Sequence, residues 1–490
     1  ILSELAIANE NVRKPRVVIF SSTTRALMDS EIRSRVPNLG KLKVITRTGD
    51  PTNPEDLKRA NVSSAKSIII LDADEAGDAT IVSTVLAVKS VNANANTKII
   101  AELDDENTAE AITTATNGQV IAVRSQEVIA RVTAQASRQP GLAAVTLDLL
   151  DFAGDEIYIS AIPELVGKTY ADALLAFNQA SVIGLVDGNG VAKINPPATA
   201  KISDGTKVIA IAEDDDKIVY SGLRKDLTAK KVAASAATKK PAEHLLFIGW
   251  SSMGRAVVSE LAQFLPKGST VHIVAEARHV DPAELKKLNF GKNIKVTHAS
   301  VSGDIDELIA AASAKKYNEV VILGYREAIS EAEADAQTML TMLQMNQIFE
   351  ADGNGVEPTR LVAEILDSRK AELARVAAVD DMVVSDNLAA LLIAQVSENP
   401  ALAPVFDDLF DADGASISVN PIEIYAKVGK PIEFAELVAI GRSHGESVIG
   451  YRTLEGSKHT SSSGVKLNPV KSTTFTPAKG DGLIVVGDLR

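Results

Sequence analysis

The sequence contains no cysteine among its 490 residues. Disulfide bonds and thiolate-ligated metal sites are therefore excluded, and nothing in the composition indicates secretion. Aromatic residues make up only 4% of the chain, so the cores must be built from aliphatic side chains. Because 46% of the residues are hydrophobic, the material for such cores is ample, and the length predicts two or more domains.

The sequence also lacks an excess of positive charge and any long apolar run. The 51 Lys and Arg residues against 64 Asp and Glu give a net charge of −13, which argues against a nucleic-acid partner. The longest apolar runs, such as 67–71, have the length of a strand, whereas a membrane-spanning helix needs about 20 apolar residues. Since the chain begins at Ile1 and not at Met, we interpret it as a piece of a longer protein.

What the sequence does contain is a long internal repeat. Lys98-Ile-Ile-Ala-Glu-Leu-Asp-Asp105 is echoed by Arg360-Leu-Val-Ala-Glu-Ile-Leu-Asp367, and Gln139-Pro-Gly-Leu142 returns as Asn399-Pro-Ala-Leu402. The separation of the copies far exceeds the roughly 20–50 residues of solenoid repeats. The repeat therefore predicts two copies of one domain.

Within each copy, short apolar strands alternate with helical segments. The first copy runs in this way from Arg16-Val-Val-Ile-Phe20 to Gln119-Val-Ile-Ala122, and the second copy starts at His244-Leu-Leu-Phe-Ile248. Strands that are apolar on both faces are typical of a parallel sheet covered by helices, and a smaller, strand-rich segment follows each alternation. The sequence predicts an α/β fold of two tandem units, each a Rossmann-like doubly wound parallel sheet followed by a small α+β C-terminal lobe.

The predicted domain boundaries follow this repeat. A Lys- and Ala-rich stretch between the copies is the best linker candidate. In the first copy we predict an N-terminal linker helix at residues 1–15, a Rossmann lobe at 16–145 and a C-terminal lobe at 146–226. A linker at 227–242 leads to the second copy, with a Rossmann lobe at 243–404 and a C-terminal lobe at 405–490.

Acidic residues follow two strands of the first copy. Asp72 and Asp74 come after the strand at 67–71, and Glu102 and Asp104 come after the next one. If these strands are neighbours in a parallel sheet, the four carboxylates share one edge, and hard cations such as Ca²⁺ require several oxygen ligands in one place. The alternative is that Asp104 or Asp105 caps the helix that begins near Glu106.

A glycine motif follows the first strand of the second copy. Gly249-Trp-Ser-Ser-Met-Gly254 opens a helix, and Glu276 follows the second strand, where an acid can hold a ribose. Gly249, Ser251, Gly254 and Glu276 are thus candidates to bind NAD or another nucleotide. Since Ser251 replaces the middle glycine of the usual motif, the alternative is that the glycines only permit tight packing of strand and helix. The first copy has no glycine at this turn, which makes it a poor dinucleotide binder.

No catalytic set emerges from the sequence. A nucleophile would have to be Ser or Thr beside a histidine, and the six histidines all lie in the second copy, outside recognisable hydrolase or zinc-protease motifs. We therefore expect no enzymatic activity.

Several phrases of the chain resemble one known family. A duplicated Rossmann-plus-small-lobe unit is similar to tandem RCK (regulator of potassium conductance) domains. The phrases Glu4-Leu-Ala-Ile-Ala-Asn-Glu10, Arg138-Gln-Pro-Gly-Leu142, Asp148-Leu-Leu-Asp-Phe152 and Ile211-Ala-Glu-Asp-Asp-Asp216 resemble the CASTOR/POLLUX ion-channel family.

The resemblance implies a gating ring of four chains on the cytoplasmic face of a membrane, preceded by a pore segment. Gln139 to Leu142 would lie in the helix–turn–helix crossover that pairs RCK domains. By similarity to calcium-gated RCK domains, Glu102 and Asp104 match an acidic pair and Asp72 matches a third ligand, whereas Leu366 replaces the second acid in the second copy.

The function expected from this resemblance is a ligand-sensing gating ring of a cation (potassium) channel, which couples ion or nucleotide binding to pore opening. The alternative is a soluble NAD(H)- or nucleotide-binding regulatory subunit of a potassium transporter. A nucleotide-dependent enzyme is a third hypothesis, for which the sequence supplies no acid–base residue.

Overall fold

The structure is a computed structural model, which describes residues 1–490 except 37, 72–76, 93, 95, 225, 228–240, 313–314, 352–358, 377–380, 411–413, 458–463 and 489–490. The chain forms two compact units, one made of Ile1–Glu127, Leu150–Gly154 and Leu388–Phe406, the other of Val128–Leu149, Asp155–Asn387 and Asp407–Arg490. These units follow spatial contacts, whereas the predicted domain boundaries follow the repeat and stay a prediction. The predicted linker at 227–242 falls mostly outside the described residues.

The first Rossmann lobe alternates strands and helices as predicted. Its sheet forms parallel ladders β1–β2 and β3–β4–β5, with no ladder between β1 and β3 among the described residues. Its elements are α1 (Leu2–Ala8), β1 (Arg16–Ser21), α2 (Arg25–Arg35), β2 (Lys43–Thr48), α3 (Pro54–Leu57), β3 (Ser67–Ile70), α4 (Asp78–Val91), β4 (Lys98–Glu102), α5 (Glu106–Ala115) and β5 (Val120–Val123).

A helical hairpin and the first small lobe follow. The small lobe is an antiparallel sheet in the order β6-β9-β7-β8. The elements are α6 (Ser125–Arg138), α7 (Leu142–Leu150), β6 (Glu156–Ser160), α8 (Tyr170–Ala173), β7 (Ser181–Val186), β8 (Ala192–Ile194) and β9 (Lys207–Ala212).

The second Rossmann lobe has one continuous parallel sheet, in the order β12-β11-β10-β13-β14-β15. Its central strand β10 is buried over four of its five residues, as expected for a strand covered by helices on both faces. The elements are β10 (His244–Ile248), α9 (Ser252–Phe264), β11 (Thr270–Glu276), α10 (Pro282–Lys286), β12 (Lys295–Val301), α11 (Ile305–Ala312), β13 (Glu319–Ile322), α12 (Glu331–Ala351), β14 (Arg360–Ile365), α13 (Ala371–Arg375), β15 (Asp381–Val384), α14 (Ser385–Glu398) and α15 (Ala403–Leu409).

The second small lobe repeats the first, with an antiparallel sheet in the order β16-β21-β18-β19 and an additional β17–β20 pair. The two small lobes share one hydrophobic core, which includes Phe177, Val182, Phe434 and Val448. The elements are β16 (Ser416–Pro421), β17 (Ile432–Glu433), α16 (Phe434–Ser443), β18 (Ser447–Arg452), α17 (Leu454–Ser457), β19 (Val465–Leu467), β20 (Thr474–Phe475) and β21 (Gly482–Gly487).

The predicted fold class is confirmed: each half is a Rossmann-like parallel sheet followed by a small lobe. Over the described residues, no single helix has the length and apolar character to cross a membrane. One pair of helices bent by 117°, Ser385–Glu398 with Pro400–Leu409, meets those two criteria when taken together.

Candidate functional site

The acidic edge of the first Rossmann lobe lies at the carboxyl ends of β3 and β4. These strands pair in parallel, with Ile70 opposite Ala101, so the carboxyl end of β3 lies beside the carboxyl end of β4, where Glu102 stands. Glu102 is half-buried and accepts a hydrogen bond from Ser125 Oγ at 2.5 Å. Ser125 begins α6, directly after the neighbouring strand β5. The edge where a doubly wound sheet binds ligands therefore carries a positioned carboxylate.

The helix-capping alternative is decided by Asp105. Its carboxylate accepts hydrogen bonds from the Thr108 N–H and Oγ, both at 2.8 Å, and so caps α5. The hydrogen bond from the Thr108 side chain lowers the pKa of Asp105. Asp104 is exposed and is not the capping residue. Asp78 accepts the Asp104 and Asp105 N–H groups at 3.0 and 2.9 Å, which orders this turn.

Two of the four predicted metal ligands lie among the described residues. Asp72 and Asp74 lie outside the described residues, whereas Glu102 and Asp104 lie on the predicted edge. Within the part of the chain that the structure describes, no three acidic or histidine side chains gather as a metal-ligand group. The four-carboxylate site therefore stays a prediction.

The second lobe repeats the Glu–Ser pair but adds an arginine. Glu364 ends β14 as Glu102 ends β4, and it accepts a hydrogen bond from Ser385 Oγ at 2.6 Å. Glu364 is fully buried, and the Arg326 guanidinium donates to the same carboxylate oxygen. Arg326 follows β13 by four residues, as Asp74 follows β3. A guanidinium thus stands in the second copy at the sequence position of a carboxylate in the first.

The predicted nucleotide turn of the second lobe is tightly packed. Gly249 has a φ of +81°, and a Cβ there would lie 2.0 Å from the Leu323 carbonyl oxygen. A Cβ on Gly254 would lie 2.7 Å from the ring of the buried Trp250. Tight strand–helix packing therefore accounts for both glycines, as in the alternative to a nucleotide site.

The N-terminus of α9 already carries an anion of the chain itself. Glu327 Oε1 accepts hydrogen bonds from the Ser252 N–H at 3.1 Å and from Ser252 Oγ at 2.5 Å. A phosphate at this helix end would have to displace that carboxylate, because helix N-termini attract one negative group to the same N–H donors. Ser251, the N-cap residue, is buried and makes no side-chain cap hydrogen bond.

Glu276 lies at the end of β11 as predicted, but its carboxylate is engaged. Arg278 Nε donates to Glu276 Oε2 at 2.5 Å, and the His279 ring nitrogen lies 3.7 Å from the same oxygen. The Glu276 N–H donates to the Tyr325 hydroxyl at 3.0 Å, and burial raises the pKa of Tyr325 to about 12. The nucleotide site at the four predicted residues stays a prediction.

The predicted pairing segment forms a helix–turn–helix. Gly141, with a φ of +89°, lies in the turn between α6 and α7. The Gly141 and Ala143 N–H groups donate to the Asp381 carboxylate at 3.0 and 3.1 Å, and Gln139 Oε1 accepts the Val419 N–H at 2.6 Å. Residues of the first copy are thus anchored on strands β15 and β16 of the second.

Sequence reasoning missed Arg326, Glu327 and Ser125. Aligning β3 with β13 position by position would have placed Arg326 opposite Asp74 and shown the change of charge. The roles of Glu327 and Ser125 depend on contacts between residues far apart in the chain, for which the sequence carries no local signal.

Comparison with known proteins agrees with this architecture. Residues 126–226 match the family described as Castor and Pollux, part of voltage-gated ion channel. Residues 1–101 match the calcium-activated potassium channel slowpoke-like RCK domain. A probable ion channel CASTOR of Oryza sativa subsp. japonica is 27% identical over 94% of this chain and 55% of its own length. Ion channel POLLUX of Lotus japonicus is 28% identical over 92% of this chain and 53% of its own length.

The resemblance to CASTOR and POLLUX ion channels is confirmed. The chain spans about half the length of these curated relatives. The human SLO3 gating ring superimposes with a TM-score of 0.65, covering 96% of this chain and 94% of that chain at 13% identity. At that identity the likeness shows the fold alone, which is that of two tandem RCK units.

Proposed function

We propose that this chain is the ligand-sensing gating ring of a CASTOR/POLLUX-like cation channel. Similarity to ion channels over more than nine-tenths of the chain and the fold of a gating ring support the proposal. Four chains would form the ring on the cytoplasmic face of the membrane, beneath a pore segment that precedes Ile1. The chain would act by changing conformation and not by catalysis.

The observation that carries the proposal is the difference between the two sheet edges. The second edge neutralises Glu364 with Arg326, whereas the first carries Glu102 and Asp104 and has an acid at the position of that arginine. Carboxylate oxygens are the ligands that Ca²⁺ prefers, and an acid in place of the arginine adds one to the first edge. We therefore assign cation sensing to the first edge, with Asp72 and Asp74 as further ligands on sequence grounds.

Binding can drive gating only if the ligand has different affinities for two arrangements of the ring. In the proposed mechanism, Ca²⁺ favours the arrangement in which the carboxylates of the first edge converge. We infer that a change at the first edge alters the pairing of the two copies through the turn at Gln139 to Leu142. This conformational change would be transmitted to the pore through residues 1–15.

The test is isothermal titration with Ca²⁺. The double variant Glu102→Gln/Asp104→Asn is expected to bind at least about tenfold more weakly than wild type, because two ligand charges are lost while the side-chain sizes are kept. The matched control is Glu110→Gln, which removes an exposed charge from α5 of the same lobe. Equal affinities in wild type and double variant would refute the site.

A second variant introduces into the first lobe an arginine that corresponds to Arg326 of the second. Asp74→Arg places a guanidinium at the position equivalent to Arg326 and is expected to abolish Ca²⁺ binding by neutralising Glu102. Retention of wild-type affinity in Asp74→Arg would show that this position takes no part in the site.

A further inference from the structure

The two small lobes meet through a pair of reciprocal hydrogen bonds. Ser181, at the start of β7 in the first small lobe, donates through Oγ to Asn468 Oδ1 at 2.9 Å. Ser447, at the start of β18 in the second, donates through Oγ to Asn195 Oδ1 at 2.8 Å. Each lobe thus offers a serine to the other lobe's asparagine.

These residues occupy equivalent positions in the duplicated lobes. Asn195 and Asn468 both follow a short strand and both have a positive φ, of 41° and 39°. Their N–H groups donate to Ile183 and Ile449 respectively, one on each matching strand. The junction therefore has an approximate two-fold relation that comes from the repeat.

One residue pair breaks this symmetry. The Tyr170 hydroxyl lies 2.6 Å from Ser447 Oγ, whereas the equivalent of Tyr170 in the second lobe is Phe434, which has no hydroxyl. The equivalence follows from the backbone: the Tyr170 N–H donates to Ala200, and the Phe434 N–H donates to Thr473 at the corresponding position.

Lys471 takes the place of the missing hydroxyl. Its Nζ donates to Ser181 Oγ at 2.7 Å and lies 5.0 Å from the centre of the Phe434 ring. The equivalent residue in the first lobe is Ala198, since Ala171 donates to Ala198 and Ala435 donates to Lys471 in the same way. One side of the junction is therefore closed by a phenol and the other by an amine.

The amine is enclosed. Lys471 is only 3% exposed, and burial lowers its pKa to about 7, partly opposed by the carboxylate of Asp155. Asp155 accepts a hydrogen bond from Asn468 Nδ2 at 3.0 Å, and burial raises its pKa, with a contribution from Glu213.

Tyrosines and Glu433 also lie around this end of α16. Burial raises the pKa of Tyr170 and Tyr451 above their usual value of 10. Glu433 precedes Phe434 and pairs with Arg224 at 3.4 Å. His444 lies at the opposite end of α16, against Tyr425. Because burial lowers the pKa of Lys471 to about 7, Lys471 changes its charge near neutral pH in the closed junction.

We propose that Lys471 is a proton-sensitive latch between the two small lobes, closed when its amine is neutral and weakened when the amine takes up a proton. A neutral amine is satisfied by its hydrogen bond to the Ser181 oxygen, whereas the Phe434 ring and the Asp155 carboxylate favour the charged form. A charged ammonium brings three donors into a buried site and loses its hydration there.

The direction of the pH effect follows from the lowered pKa. An opened junction returns Lys471 to its ordinary pKa of 10.5, so the open state binds one more proton than the closed state between about pH 7 and 10.5. Closure is therefore favoured as pH rises across that interval, by up to about tenfold per pH unit. Below pH 7 both states hold the proton, and the dependence ends.

The test is hydrogen exchange of peptides that cover β7 and β18, measured from pH 6 to pH 9 and corrected for intrinsic exchange. In wild type we expect the opening constant to fall steadily from pH 7 to 9 and to be level below pH 7. Lys471→Met, which cannot titrate, is expected to remove the slope. Lys207→Met, an exposed lysine at the start of β9, is the control and should keep it.

A second variant provides an independent test in case Lys471→Met does not fold. Phe434→Tyr/Lys471→Ala copies the Tyr170 and Ala198 arrangement of the first lobe, so it should close the junction with a phenol and show no slope between pH 7 and 9. A wild-type junction without a slope, or a slope that survives in either Lys471 variant, would overturn the proposal.

Discussion

The two Rossmann lobes place the same glutamate–serine pair at the same sheet edge but treat its charge differently. In the first, Glu102 is half-buried and bonded by Ser125. In the second, Glu364 is fully buried, bonded by Ser385 and neutralised by Arg326. A fully buried carboxylate requires a fixed partner, whereas a partly exposed one is also stabilised by water. One substitution beside a shared pair thus separates a structural site from a candidate sensing site.

The largest expected effect comes from removing the arginine. Arg326→Met leaves Glu364 buried without its cation and should destabilise the second unit by about 3–5 kcal/mol. Urea denaturation followed by the fluorescence of Trp250, the only tryptophan of the chain, measures this. Glu364→Gln added to that variant should recover most of the loss. In the first lobe, Glu102→Gln should cost only about 1 kcal/mol. Similar losses from Arg326→Met and Glu102→Gln would remove the contrast between the lobes.

A second contrast concerns a strand position at which only one lobe buries a charge. Four residues before Ser385 stands Asp381, and four residues before Ser125 stands Ile121. Burial raises the pKa of Asp381 to about 7, despite hydrogen bonds from Ala143, Met382 and Gly141. Because the folded-state pKa is raised, the stabilising contribution is complete below about pH 4 and is lost as pH rises through 7.

Asp381→Asn should therefore flatten the pH dependence of the second unit's stability between about pH 4 and 7, where one such group contributes up to about 1.4 kcal/mol per pH unit. Urea midpoints at several pH values check this. Burial likewise raises the pKa of Glu319 to about 7, so Glu319→Gln should remove a separate part of the slope. An unchanged slope in Asp381→Asn would mean that Asp381 keeps an ordinary pKa.

The smallest effect is expected at the helix end of the second lobe. Glu327→Gln removes a negative charge from the N-terminus of α9 and should lower the free energy of unfolding by about 0.3–1 kcal/mol. If Glu327 is what excludes a phosphate there, ADP should raise the melting temperature of Glu327→Gln but not that of wild type. Glu331→Gln, an exposed change on α12, is the control. An equal ADP effect in all three proteins would show that Glu327 does not compete with nucleotide.

Much of the architecture was predictable because its signals are local. The apolar run at Ser67–Ile70 and the alternation of strands and helices depend on residues near each other in sequence, and the structure confirms them. The choice between Asp104 and Asp105 as helix cap was not predictable, since both precede α5 and only the backbone conformation of the N-cap residue decides it.

The partners of charged residues were the least predictable feature. Arg326 and Glu364 are 38 residues apart, and Lys471 and Ser181 are 290 apart. Nothing in the local pattern around Lys471 distinguishes it from an exposed lysine, because its burial is produced by a lobe encoded elsewhere in the chain.

The duplication, the α/β class and the acidic residues that follow strands of the first copy can be read from the amino-acid sequence, since each is carried by short-range order and by the repeat. Which of the twin positions holds an ion-paired charge, how closely the two glycines are packed and which lysine is buried are settled by folding in three dimensions. Those outcomes depend on desolvation and on partners brought together by folding, and these change when a single neighbouring residue differs between two otherwise equivalent lobes.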